Sequence, residues 1–148
     1  MVKMNKQYEF FEHPADAKFR SYGATLEEAF SNAGFAMFTI ICNPNEIKKH
    51  EQRVIQLKAS RIETLLYDFL DELLYFIDAD GLLLPWVKEI KITKDESENN
   101  TTYTLYAVVK GDSYRNYKTH GDIKSVTYND MFVKHENNKW TMQIVVDI

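Results

Sequence analysis

Asp16 and Asp147 are the residues of this chain whose setting most invites chemistry. Asp16 falls in the turn after His13-Pro14-Ala15, and Asp147 follows the apolar run Ile144-Val145-Val146. A carboxylate that close to apolar strand residues needs a partner, either a network of donors or a cation. The sequence stops at Ile148, which is expected to place a terminal carboxylate one residue further on. Oxygen donors of this kind suit hard ions such as Ca²⁺, Mg²⁺ or Mn²⁺ rather than zinc. Spacing alone does not bring the two ends of the chain together.

Other reactive groupings are weaker. The chain has no Gly-x-Ser-x-Gly elbow and no Walker-type glycine loop. Cys42 and His50 have the types of a thiol and its base, but Cys42 lies at the apolar end of a helical stretch, where free cysteine usually serves as a small core residue. Asp68, Asp71, Glu72, Asp78 and Asp80 line one side of a second helical stretch. A solvated face accounts for them; the functional alternative is an acidic surface for a basic partner. Between Lys110 and Lys124, the cations Lys110, Arg115, Lys118 and Lys124 mix with Tyr114, Tyr117 and His120. That mixture can grip single strands, but Asp112 and Asp122 dilute it, and a mobile polar loop has the same composition.

The elements that must position these groups follow from periodicity. Tyr8–His13 reads as a strand stopped by Pro14, and Lys18–Tyr22 alternates polar and aromatic residues as a second, half-buried strand. Thr25 with Glu28 forms a capping box, and Leu26, Ala29, Phe30, Ala33, Met37 and Ile40 follow at helical spacing until Pro44. After a strand near Arg53–Leu57, Ser60 with Glu63 repeats the box. Ile62, Leu65, Leu66, Phe69, Leu70, Leu73, Leu74 and Ile77 then make a second apolar stripe, closed by Gly81. Trp86–Thr93, Tyr103–Val109, Ser125–His135 and Trp140–Ile148 read as strands, with Lys94–Asn100 as a polar connector. Strands with two interspersed helices, then strands only, predict an α+β fold: two amphipathic helices on mixed or antiparallel sheet layers.

Bulk properties narrow the function. At 148 residues, with no composition break, the chain is expected to be a single domain over 1–148. A hydrophobic content of 45% supports a packed core, and the one cysteine rules out an internal disulfide. The formal net charge of -4 argues against nucleic acid as the main partner, so RNA is expected to be met only indirectly. Neither a signal peptide nor an apolar run of membrane-crossing length is visible, so a cytoplasmic address and no membrane partner are expected.

Several segments in order resemble one family, archease. They are Tyr8-Glu9-Phe10 with His13-Pro14-Ala15-Asp16; Tyr22-Gly23-Ala24-Thr25-Leu26-Glu27-Glu28-Ala29-Phe30; Glu63-Thr64-Leu65-Leu66 through Leu70-Asp71-Glu72-Leu73-Leu74-Tyr75; Ile123-Lys124-Ser125-Val126-Thr127-Tyr128; and Val146-Asp147-Ile148. The resemblance implies a non-enzymatic accessory protein of the GTP- and Mn²⁺-dependent 3′-to-5′ tRNA-splicing RNA ligase, promoting the ligase's guanylylation and multiple turnover. It implies that Asp16, Asp147 and the Ile148 carboxylate hold a divalent ion, with Lys124 on the same functional surface. His13 and His120 are carried as further candidates for that surface. The first and last strands would then have to lie side by side. Pro14, Asn129, Arg61 and Phe69 depart from the family's usual threonine, histidine, acidic residue and tryptophan. A chaperone-like modulator of other RNA-modifying enzymes and a metal-dependent hydrolase are the competing classes.

Overall fold

Helix α1 (Leu26–Ile41) starts where Thr25 Oγ1 accepts the Glu28 N–H at 3.1 Å, as the sequence predicts. Its buried residues, among them Ala29, Phe30, Ala33, Gly34, Met37 and Phe38, cover more than one stripe, so it is enclosed rather than surface-lying. Helix α2 (Ile62–Asp80) starts one residue later than the Ser60 box implies: Arg61 is the cap, without a side-chain cap bond, and its carbonyl takes the Leu65 N–H at 3.1 Å. Gly81 ends α2 at φ +66°, a left-handed cap that glycine adopts without a Cβ penalty.

This computed structural model describes residues 6–12 and 15–148. His13 therefore lies outside the described residues, as does Pro14. Seven strands are described: β1 (Tyr8–Phe11), β2 (Asp16–Gly23), β3 (Glu51–Ala59), β4 (Leu82–Ser97), β5 (Asn100–Ser113), β6 (Ser125–Glu136) and β7 (Lys139–Asp147). They form a four-stranded sheet in the order β1-β2-β7-β6 and a three-stranded sheet in the order β3-β5-β4. Every pairing is antiparallel, which settles the expected mixed or antiparallel layers in favour of the latter. Helix α1 packs mainly on β2 and β4, and α2 on β6, β3 and β4, so both helices lie between the two sheets. The core joins Phe30 and Phe69, with ring centroids 5.8 Å apart, to Phe19, Ile144 and Val146 of one sheet and Ile55, Leu105 and Val109 of the other.

Lys94–Asn100, expected as a connector, instead extends β4 and turns into β5, with Lys94 opposite Tyr103 and Ser97 opposite Asn100. Polar residues on a solvated hairpin satisfy the backbone as well as a loop would, so composition does not separate the two. The pairing expected of the first and last strands falls to the second: β7 lies beside β2, and β1 is one place further out.

Candidate functional site

Residues directly opposite in an antiparallel pair share a face, with Cβ atoms about 4.5–5.5 Å apart. Asp16 of β2 stands directly opposite Asp147 of β7, and Ser125 of β6 stands opposite Asp147 on its other side. The three side chains form a row across three strands at one end of the four-stranded sheet. Residues from the two ends of the sequence meet here because Phe19, Ile144 and Val146, none exposed, fix the register of β2 on β7 from the inner face. Ala15, just before Asp16, has φ +64°. For alanine that conformation costs about 1–2 kcal/mol, the kind of local strain that concentrates at functional sites.

Lys124 joins this end through its main chain, its N–H donating to the Asp147 carbonyl at 2.8 Å. It also lines a cavity of about 200 Å³ with Asp71, Asp78, Asp122 and Tyr75. Ile148, 45% exposed, follows directly. His120 is held elsewhere: its N–H donates to the Ile41 carbonyl at the end of α1, at 2.9 Å. Lys124, Asp16, Asp147 and Ile148 thus come to one end of the sheet, while the described hydrogen bond ties His120 to the helix end.

The donor set is all oxygen. Among the described residues, no group of three or more His, Cys, Asp or Glu side chains is arranged to hold an ion. Two opposed carboxylates completed by water still match the way Mg²⁺-type ions bind proteins. Like charges directly opposite on a sheet disfavour folding, and a shared cation would convert that repulsion into chelation.

The alternative sites do not assemble. Cys42 is buried, its Sγ is 3.5 Å from the Phe38 carbonyl, and burial, with the Glu46 charge nearby, pushes its thiol up to about 11. A thiol so raised is not a nucleophile near neutrality. His50 Nδ1 lies 3.3 Å from Asp112 Oδ2 instead. The Lys110–Lys124 stretch is pinned: Tyr117 donates to Asp112 at 2.7 Å and accepts the Lys48 N–H at 2.9 Å. On α2, burial and then the neighbouring Asp71 charge raise both Asp68 and Glu72. Tyr67 of α2 stacks on Tyr128 at 4.3 Å and 9°.

One feature of the site escaped the sequence. Strand β6 loses register between Thr127 and Phe132. The bulge puts Asp130 at φ +53°, its carbonyl accepting Gln143 Nε2 at 2.7 Å and its carboxylate 3.6 Å from Lys18 Nζ. Lys18 shares a strand face with Asp16, so the bulge secures the neighbour of the carboxylate pair. The alternation of β2 was visible in the sequence, but nothing in Tyr128-Asn129-Asp130-Met131 marks a bulge rather than continued strand.

A profile of the Archease protein family (MTH1598/TM1083) matches residues 8–148. The chain is 37% identical over 150 residues to a protein archease from Methanosarcina barkeri (strain Fusaro / DSM 804), covering all of both chains. It is 37% identical over 146 residues to one from Pyrococcus abyssi, covering 97% of this chain and 99% of that one. The solution structure of Methanobacterium thermoautotrophicum protein 1598 superposes with a TM-score of 0.75 at 29% identity, over 96% of this chain and 99% of that one. The crystal structure of an archease, possible chaperone, from Thermotoga maritima covers all of both chains with a TM-score of 0.56; at 18% identity it speaks to the fold alone.

Proposed function

The chain belongs to the archease protein family, and from that membership we propose that it is a cytoplasmic, non-enzymatic accessory protein of a GTP-dependent 3′-to-5′ tRNA-splicing RNA ligase. The observation that carries the reading is the register of β2 on β7, which sets Asp16 opposite Asp147 with Lys124 bonded to the Asp147 main chain. Asp16 and Asp147, with the Ile148 carboxylate, would hold a divalent ion: Ca²⁺, Mg²⁺ or Mn²⁺. Such an ion supplies neutralisation of phosphate charge during nucleotidyl transfer. The sheet holds the two carboxylates at a fixed spacing, and Lys124 presents a cation beside them to the partner. The chain forms no covalent bond to substrate, in keeping with a buried, unreactive Cys42 and a His50 turned to Asp112. Among the described residues no helix is long and apolar enough to cross a membrane.

Multiple-turnover RNA ligation with the partner ligase, GTP and Mn²⁺ tests the reading. This chain is expected to raise turnover, and Asp16→Ala and Asp147→Ala to abolish the rise while keeping the fold. Equal stimulation by Asp16→Ala would end the ion-centred reading. A chaperone-like role toward other RNA-modifying enzymes predicts indifference to both aspartates.

A further inference from the structure

We propose that the outer face of the four-stranded sheet, at the end remote from Asp16 and Asp147, is a docking surface for single-stranded RNA. Helix α1 covers the inner face, where Ser21 Oγ donates to the Ala29 carbonyl at 3.0 Å. No helix lies on the outer face among the described residues. Along β2 that face carries Asp16, Lys18, Arg20 and Tyr22; the residues opposite on β7 are Asp147, Val145, Gln143 and Thr141. The β6 bulge divides it. Val145 is wholly covered although it points outward, and Asp130 takes both Lys18 and Gln143. Beyond the bulge, toward the β6–β7 hairpin, cations and rings alternate.

Their arrangement is specific. The Arg20 guanidinium lies 4.7 Å from the Phe11 ring and 5.4 Å from the Phe132 ring. Lys134 sits 4.7 Å over Phe132, and Lys139 sits 4.6 Å over Tyr22. Gln143 Oε1 accepts Arg20 Nε at 2.9 Å and fixes the guanidinium plane. Cations held on the rings of this sheet face match a strand whose phosphates need charge and whose bases need stacking partners. A duplex hides its base faces, and an acidic peptide uses the ammonium groups but not the rings. RNA-binding sheets of four strands stack about two or three bases. Glu9, held by Tyr22 at 2.8 Å and Lys6 at 3.3 Å, and Glu136 stand at the rim as acceptors. A ribose 2′-hydroxyl can donate to such a carboxylate, whereas deoxyribose has nothing to offer it. The net charge of -4 conceals this face because Asp68, Asp71, Glu72, Asp78 and Asp80 lie on α2, between the two sheets and away from this outer face.

The inference does not depend on the ligase reading, and its test contains no ligase. A fluorescein-labelled oligouridylate of about a dozen nucleotides, titrated with the full chain at low salt, should show saturable anisotropy. Lys134→Glu with Lys139→Glu, both exposed, should weaken binding about tenfold or more and lower the salt slope by about 1.4, at about 0.7 for each phosphate that a lysine no longer neutralises. Phe132→Leu should weaken binding with the salt slope unchanged, which separates stacking from charge. Circular dichroism and the thermal midpoint establish that each variant is folded. No binding at about 100 µM chain would overturn the proposal, as would undiminished binding by the lysine variant. Tighter binding of polyglutamate than of RNA would replace it with a protein partner. Equal or tighter binding of the oligodeoxyuridylate would remove the assignment to RNA.

Discussion

Asp112 and Asp147 both sit at the C-terminal ends of strands, β5 and β7, and the fold treats them in opposite ways. Asp112 accepts from the Tyr117 hydroxyl at 2.7 Å, the Ser113 N–H at 2.9 Å and Asn116 Nδ2 at 3.4 Å, and His50 Nδ1 lies 3.3 Å away. The Tyr117 hydrogen bond, aided by the others, holds its carboxyl below the ordinary 3.8 against the opposing effect of burial. Asp147 is set opposite another carboxylate, Asp16. The first acid closes a loop, drawing residues 48–50 and 113–117 onto the end of β5, and its charge is used up in doing so. The second lies in a register that sets two carboxylates on one face of the sheet, an oxygen donor pair of the kind a divalent ion bridges. A carboxylate saturated by donors of its own chain is structural; one set opposite its like is suited to a cationic ligand.

The comparison breaks most clearly on ion binding. By calorimetry with Mn²⁺, Asp16→Ala or Asp147→Ala should weaken affinity by about 100-fold or more, since loss of even an outer-shell partner costs 10–100-fold. At about 100 times the dissociation constant, the ion should stabilise the native chain by about 2.7 kcal/mol, near 5–10 °C in the thermal midpoint at this size. Asp112→Asn should do the reverse, lowering the midpoint in the absence of ion and leaving the ion-induced rise intact. Loss of ion binding in Asp112→Asn, with Asp16→Ala unaffected, would invert the assignment of the two acids.

What the sequence made legible follows the range of the forces involved. Local signals held: the Thr25 cap, the left-handed Gly81 stop, and the Leu65–Leu66–Phe69–Leu70–Leu73 stripe that packs as expected. The Ser60 box slipped by one residue because serine and glutamate at the right spacing say nothing of where the preceding strand releases the chain. The meeting of Asp16 with Asp147 was implied by resemblance and not by spacing, since it depends on pairing between distant segments fixed by core packing. Even then the neighbour of β7 is β2 rather than β1. The cation–ring face beyond the bulge was invisible for a related reason: Arg20, Phe132 and Lys139 are scattered in sequence, and a charge total averages them against α2.

A second, smaller difference separates Asp112 from the acids of α2, and it carries a sign. A carboxyl lowered in the folded state contributes stability that is fully present above its unfolded value and is lost as pH falls through the folded one. Asp112, ordinarily 3.8, behaves in this way. Asp68 and Glu72 are raised from 3.8 and 4.5, by burial first and then by Asp71, so the folded chain binds their protons more readily. Stability therefore rises as pH falls from neutral through their raised values, and the Asp112 loss follows at lower pH. Urea midpoints measured across the acid range should show both limbs. Asp112→Asn should flatten the lower one, and Asp68→Asn with Glu72→Gln the upper. A lower limb unchanged in Asp112→Asn would place the acid sensitivity elsewhere.

The smallest effect is the most discriminating for α2. Asp71 is exposed, stands three residues from Asp68 and adjoins Glu72, and forms none of the described ion pairs. Like-charge neighbours on a helix are worth about 0.2–0.5 kcal/mol of destabilisation. Asp71→Asn should therefore stabilise the chain by that amount at neutral pH and by nothing once the carboxyls are protonated. It should also bring the Asp68 and Glu72 titrations, followed by carboxyl-carbon NMR, back toward their ordinary values, because Asp71 is the second cause of both shifts. Ion affinity at Asp16 and Asp147 should not move. If Asp71→Asn instead destabilised the chain, Asp71 would be giving more to the cavity it shares with Lys124 than it loses to its neighbours. The acids of α2 would then belong with Asp112 as satisfied structural groups.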